Sequence, residues 1–282
     1  MILILKRIFA GLFILGMFVG GSSPALAKAR VVTSLPDFAS ITQAVGGDYV
    51  EVSSIMRGGQ DPHFVDPKPS FLRRLSQADV VVVAGLELDQ WMDLLIEQSR
   101  NSRILKGQLG YVNASVGIEL LEVNRGSMNR SMGDIHPYGN PHYWMDPRNG
   151  IVIAHQIAGR LGQLDPDHAD LFAKNAGAFA VAVEARLPVW KKRFASLKDR
   201  RVVAYHNSWS YFAKAFGLTI TGFVEPKPGI TPPPAYIVDL IQQMRKSGVL
   251  VIVKEPFFSN ALPDKISTET GAEVVNLTQS VG

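Results

Sequence analysis

From Ala29 onward, short apolar, β-branched runs alternate with segments in which apolar residues recur every three or four positions. The first pattern reads as strand and the second as amphipathic helix. In the first half, strands are predicted at 29–35, 50–56 and 79–85, and helices at 38–47, 70–78 and 88–100. The run "DVVVVAG" (79–85) is continuously apolar up to its glycine, as a strand covered on both faces would be. The second half repeats the rhythm, with strands at 200–205, 218–224, 249–255 and 272–277 and helices at 208–217, 233–248 and 261–270. One of these helices opens on Pro233 and closes on Gly248, in keeping with helix-end preferences. Such alternation predicts an α/β protein with mostly parallel sheets flanked by helices.

Between the halves the period changes. From Pro166 to Leu197, apolar residues fall at 172, 176, 179, 183, 187, 190, 194 and 197, which traces one helical stripe. A helix of that length is roughly 45 Å long. Pro188 is expected to kink it or to mark its last third. The fold class that follows is two (βα) lobes joined by one long α-helix acting as a rigid spacer. The alternative is a helix packed within one continuous domain. The expected division is a signal segment at 1–27, an N-terminal lobe at 28–147, interlobe helices at 148–198 and a C-terminal lobe at 199–282.

Residues 1–27 stand apart. Lys6 and Arg7 precede the apolar run 8–20, and Ala25-Leu26-Ala27 has the small-x-small pattern of a secretory cleavage site. Cleavage after Ala27 and a periplasmic location are expected. An uncleaved anchor is the competing reading, although the run is short against the roughly 20 residues of a membrane span. No Cys follows the run, so no thiol is offered for lipid attachment. Removing 27 of the 282 residues leaves 255, and removing two of the 29 basic residues leaves 27 against 25 acidic, a charge near +2. That balance gives no reason to expect nucleic acid or an anionic membrane as partner. Without cysteine there are no disulfides, and any metal site must use nitrogen and oxygen ligands.

Candidate chemistry lies in the histidines at 63, 136, 142, 155, 168 and 206. His155 and His168 fall in helical segments among polar neighbours and read as surface residues. His63 follows the strand at 50–56, His206 directly follows the strand at 200–205, and Glu255 ends the strand at 249–255. In open parallel sheets, ligands bind beyond the carboxyl ends of strands. His142, in "GNPHYWMDPRNG" (139–150), sits in the loop before the interlobe helices, fixed by Pro141 and Pro147. Three histidines and Glu255 at such positions make a metal cluster plausible, yet the spacing matches no short metal motif. Ordinary loop histidines remain the alternative on this ground alone.

At these residues the chain resembles the ZnuA/TroA-type solute-binding proteins, which deliver zinc or manganese to ABC importers. The segments "GGQDPHFVDPKPS" (58–70), "NPHYWMDPRN" (140–149) and "VVAYHNSWSYFAKAFGL" (202–218) are similar to those carrying that family's three metal histidines. "ADVVVVAGLELDQWMDLLI" (78–96) and "VIVKEPFFSNAL" (251–262) extend the resemblance over essentially all of 30–278. It implies two lobes joined by a long helix, metal in the cleft between them, and His63, His142 and His206 as ligands. The family usually adds an Asp after the last strand, where this chain has Thr278 and Gln279. Glu255, water or a residue beyond a truncated C-terminus is expected to fill that place. Zinc members often carry a His- and acid-rich stretch before the second histidine; here 121–139 offers only His136, read as a loop residue in preference to a secondary ligand.

Imidazole-rich sites favour zinc, whereas manganese prefers oxygen-rich sets. Zn2+ is therefore the expected cargo, with Mn2+ or Fe2+ as the alternative. A monomer that hands its metal to an ABC permease in the inner membrane is expected, without enzymatic activity. Two other classes compete. Three histidines and a water also build a zinc hydrolase, with Glu255 as base. A two-lobe protein can equally hold an organic ligand or chelate.

Overall fold

The computed structural model describes residues 28–123, 136–197 and 199–282, so the expected signal segment lies outside the described residues. The first lobe contains β1 (Ala29–Thr33), α1 (Pro36–Gly46), β2 (Val50–Ser54), α2 (Pro69–Ser76), β3 (Val80–Val83), α3 (Trp91–Gln98) and β4 (Tyr111–Asn113). Its four strands are all parallel, in the order β2-β1-β3-β4. β4 was not expected; three residues between loops are too few to show a period.

Two helices follow, α4 (Pro147–Leu164) and α5 (Ala169–Ala195). The second lobe contains β5 (Arg201–Ala204), α6 (Ser210–Phe216), β6 (Thr219–Phe223), α7 (Pro234–Ser247), β7 (Val251–Lys254), α8 (Ala261–Thr270) and β8 (Glu273–Asn276). Its sheet is parallel in the order β6-β5-β7-β8, the same winding as the first. The two lobes thus repeat a topology that the sequence does not display as a repeat.

Local chemistry sets the element ends. Proline opens α1, α2, α4 and α7, where its missing N–H costs nothing. Gly217, Gly248 and Gly271 close α6, α7 and α8 at φ 72°, a left-handed turn that glycine adopts without steric cost. All four valines of β3 are buried, as a strand covered on both faces requires.

α5 is one helix of 27 residues, about 40 Å long, and Pro188 lies inside it without ending it. The turn Pro166–His168 before it is a separate 3-10 segment. His168 is therefore not the surface residue expected from its polar neighbours. Its Nδ1 is 2.7 Å from Asp165 Oδ2 and its ring lies tilted against Tyr49 with centroids 3.9 Å apart, because the chain turns there and docks α5 on the first lobe. Asn175 Nδ2 donates to Val45 O, and Phe172 and Ala176 are buried beside it. At its far end Phe194 packs on Phe212 and Phe216 of α6. One end of α5 is thus fastened to each lobe.

The lobes also share a core. A single apolar cluster runs from Val31, Phe38 and Val82 through Tyr143 and Trp144 to Trp209, Tyr211 and Val253. The segment after β8 returns to the first lobe, where Gln279 O accepts from Trp144 Nε1 and Val281 N donates to Asp37 Oδ1. Among the described residues, no helix is long and apolar enough to cross a membrane.

Candidate metal centre

The carboxyl ends of both sheets point into one cleft. His63 arrives on the loop after β2, His142 on the loop leading into α4, and His206 two residues after β5. One nitrogen from each of the three lies within 4.8 Å of the others. The ring centroids are 5.3 Å apart for His63 and His142, 5.3 Å for His63 and His206, and 5.6 Å for His142 and His206. His142 and His206 are buried, and His63 is half-buried.

Each ring has its Nδ1 engaged. His63 Nδ1 is 2.7 Å from Asp61 Oδ1, His142 Nδ1 is 3.1 Å from Asn140 Oδ1, and His206 Nδ1 is 3.2 Å from Glu225 Oε1. A ring whose Nδ1–H is donated presents Nε2 as a lone pair. Nε2 of His63 and of His142 is buried with no hydrogen-bond partner. Buried polar atoms in folded proteins are nearly always paired, so two orphaned nitrogens facing one point mark a place for a ligand. Burial, reinforced by neighbouring histidines, holds His142 well below the usual histidine range, so it is neutral and able to coordinate. For Asp61, burial is the largest single influence and opposes the charge, but the side-chain and backbone hydrogen bonds from His63, with the electrostatic pull of His63 and His206, together outweigh it and leave the carboxyl below its ordinary range.

Glu255 follows β7 into the same region but does not belong to the compact histidine group. It is fully buried, and neither carboxylate oxygen has a partner in hydrogen-bond geometry. Burial, with the charge of Asp61 adding to it, pushes its pKa up to about 7, and the nearby Ser208 and Trp209 offset only part of that rise. His136 lies closer than a loop residue needs to, its ring 5.4 Å from His63 and 6.5 Å from His142. Both its nitrogens are buried without partners, and burial drives its pKa down to about 3. Gln279, at the position where a carboxylate was missing, is buried with its amide oxygen unpaired. His155 is exposed and remote from the cluster. A cavity of about 220 Å³ opens beside the cluster, lined by His136, His142, His206, Glu122 and Glu225 among others.

The residues that sequence reasoning overlooked are the acceptors behind the ligands: Asp61, Asn140 and Glu225. A signal for two of them was present. "DPH" at 61–63 and "NPH" at 140–142 are the same motif, and both fold alike. In each, the Asx oxygen accepts from the backbone N–H of the histidine two residues on, at 3.0 Å, and faces its Nδ1. Glu225 is 19 residues from His206 and had no such signal.

Two parallel α/β lobes with imidazoles converging from both define a receptor for a small, electron-poor ligand. Residues 31–281 match the family model of the zinc-uptake complex component A, periplasmic, and the chain belongs to this ZnuA family of metal-binding ABC transporter receptors. The manganese ABC transporter substrate-binding lipoprotein PsaA of Streptococcus pneumoniae is 29% identical over 228 residues, which cover 79% of this chain and 70% of that one. The iron-binding protein YfeA of Yersinia pestis is 26% identical over 254 residues, 87% of this chain and 75% of that one. A crystal structure of ZnuA matches with a TM-score of 0.75 at 26% identity, covering 90% of this chain and 92% of that one. The SBP FpvC of Pseudomonas aeruginosa, in complex with Mn2+, matches with a TM-score of 0.74 at 28% identity, covering 90% of each.

Proposed function

We propose that this chain is a periplasmic receptor that takes up one Zn2+ in the interlobe cleft through His63, His142 and His206 and passes it, as a monomer, to an ABC permease. Glu255 is proposed as the carboxylate that completes the site on loading. The observation that carries the reading is the three-imidazole convergence, with each Nδ1 engaged by an acceptor and with buried, unpaired Nε2 atoms on His63 and His142. Zinc is preferred because a set of three neutral nitrogens suits a tetrahedral borderline ion better than the oxygen-seeking manganese. The names of PsaA and YfeA support Mn2+ or Fe2+ as the second reading. An enzymatic role finds no support in PsaA, whose name is that of an ABC transporter substrate-binding lipoprotein.

Titration calorimetry of residues 28–282 with zinc and with manganese tests this reading. Stoichiometric binding with zinc the tighter ion is expected. His142→Ala should weaken it by more than the ~10–100-fold typical of losing a group behind a ligand. Tighter manganese binding overturns the choice of metal; an unaffected variant overturns the site.

A further inference from the structure

Asn140 separates into two chemically different ends, and only the nitrogen end reaches a residue of the second lobe. Its Oδ1 accepts from the backbone N–H of His142 at 3.0 Å and lies 3.1 Å from His142 Nδ1. Its Nδ2 donates to Glu122 Oε2 at 3.0 Å and to the carbonyl oxygen of Asn207 at 2.8 Å. Both groups met by Nδ2 can only accept, so the amide has one allowed orientation. Reversing it would set Oδ1 against a carboxylate and a carbonyl and would leave two hydrogens facing a backbone N–H.

The consequence reaches the ring. With Oδ1 fixed toward it, His142 Nδ1 must carry the hydrogen, and Nε2 is left as the lone pair. Asn207, which receives the other end, is the neighbour of His206, and its own Nδ2 donates to Glu122 Oε2 at 2.6 Å. Tyr211 of α6 adds a further tie, donating its hydroxyl to Asn140 O at 3.0 Å and accepting from Leu121 N. Glu122 holds a positive φ of 56°, uncommon for a residue with a side chain, and this backbone brings its carboxylate to both asparagines. Asp61 stands behind His63 in the same turn, but as a carboxylate it has no donor to give.

We propose that Asn140 is a positioning residue that acts before the metal arrives. Its oxygen fixes the tautomer of His142, and its nitrogen, held by Glu122 and Asn207, registers that histidine against the lobe carrying His206. The inference rests on the reading of His142 as a metal ligand. An amide is required at this position because neither a carboxylate nor an apolar group can serve both ends.

Imidazole 15N–1H correlation spectra of the metal-free protein, together with zinc titration, test it on three proteins: the natural chain, Asn140→Ala and Asn140→Asp. The natural chain should show His142 with hydrogen on Nδ1. Asn140→Ala should populate both tautomers and bind zinc about 10–100-fold more weakly. Asn140→Asp should restore the tautomer, as Asp61 would for His63, yet remain weaker than the natural chain because its second oxygen faces Glu122 and the Asn207 carbonyl. Asn140→Leu, which fills the same volume, replaces the alanine variant if that one does not fold. An unchanged His142 tautomer in the alanine or leucine variant overturns the role of the oxygen. Zinc affinity of Asn140→Asp equal to that of the natural chain overturns the role of the nitrogen. A tautomer that follows residue 140 in a natural chain that binds no zinc leaves the positioning intact and removes the ligand reading instead.

Discussion

Glu255 concentrates the electrostatic problem of the site in one side chain. A fully buried carboxylate without a well-placed hydrogen-bond donor is disfavoured as an anion, which is why its pKa rises to about 7. It therefore holds a proton to a higher pH than an ordinary glutamate, near 4.3, when no metal is present. A divalent cation reverses the balance by favouring the charged form, so loading should expel the proton. The sign follows from a raised pKa: release grows as the pH is lowered below 7, where more of the free carboxyl is protonated, and shrinks above it, where the proton is already gone. Calorimetry of zinc binding at pH 6.5 in buffers of different ionisation enthalpy should show this release, and Glu255→Gln should reduce it. His142, held neutral by burial, has no proton to contribute there. Equal proton release in the natural chain and in the Glu255→Gln variant would separate Glu255 from the site.

At the level of elements, α5 acts as a strut. It is docked at its start through Tyr49, Phe172 and Asn175 and at its end through Phe194 on α6, while one apolar cluster passes from lobe to lobe beneath it. Hinge closure around a ligand needs a few residues free to change φ and ψ, and a helix fastened at both ends supplies none. Small-angle scattering with and without zinc should therefore give superimposable curves, whereas a clear contraction on loading would contradict the strut. The helix was legible in the sequence because a period of three and four over 27 residues has no competing reading. So were β3 and β7, whose apolar runs are compact and bounded by turns. β4 was illegible because its three residues are paired by a neighbour in space, not by any local pattern. His168 was misplaced because local polarity carries no information about Tyr49, which lies more than a hundred positions away.

Across the whole molecule, two lobes of identical winding bring the loops after β2 and β5, with His63 and His206, to the point where the loop before α4 holds His142. That placement was readable in part, since β–loop junctions are visible in the sequence. The family resemblance supplied the grouping that spacing could not. The proximity of His136, and the place of Glu255 outside the compact three-histidine group, depend on loop paths that no local pattern encodes. The same holds for Glu225 behind His206 and for the clasp of Glu122, Asn140 and Asn207. X-ray absorption at the zinc edge of the loaded protein tests the central claim most directly. Three imidazole nitrogens at about 2.0–2.1 Å, reduced to two in the His142→Ala protein, is the expected result. A shell made of oxygen, or one that is the same in both proteins, would contradict it.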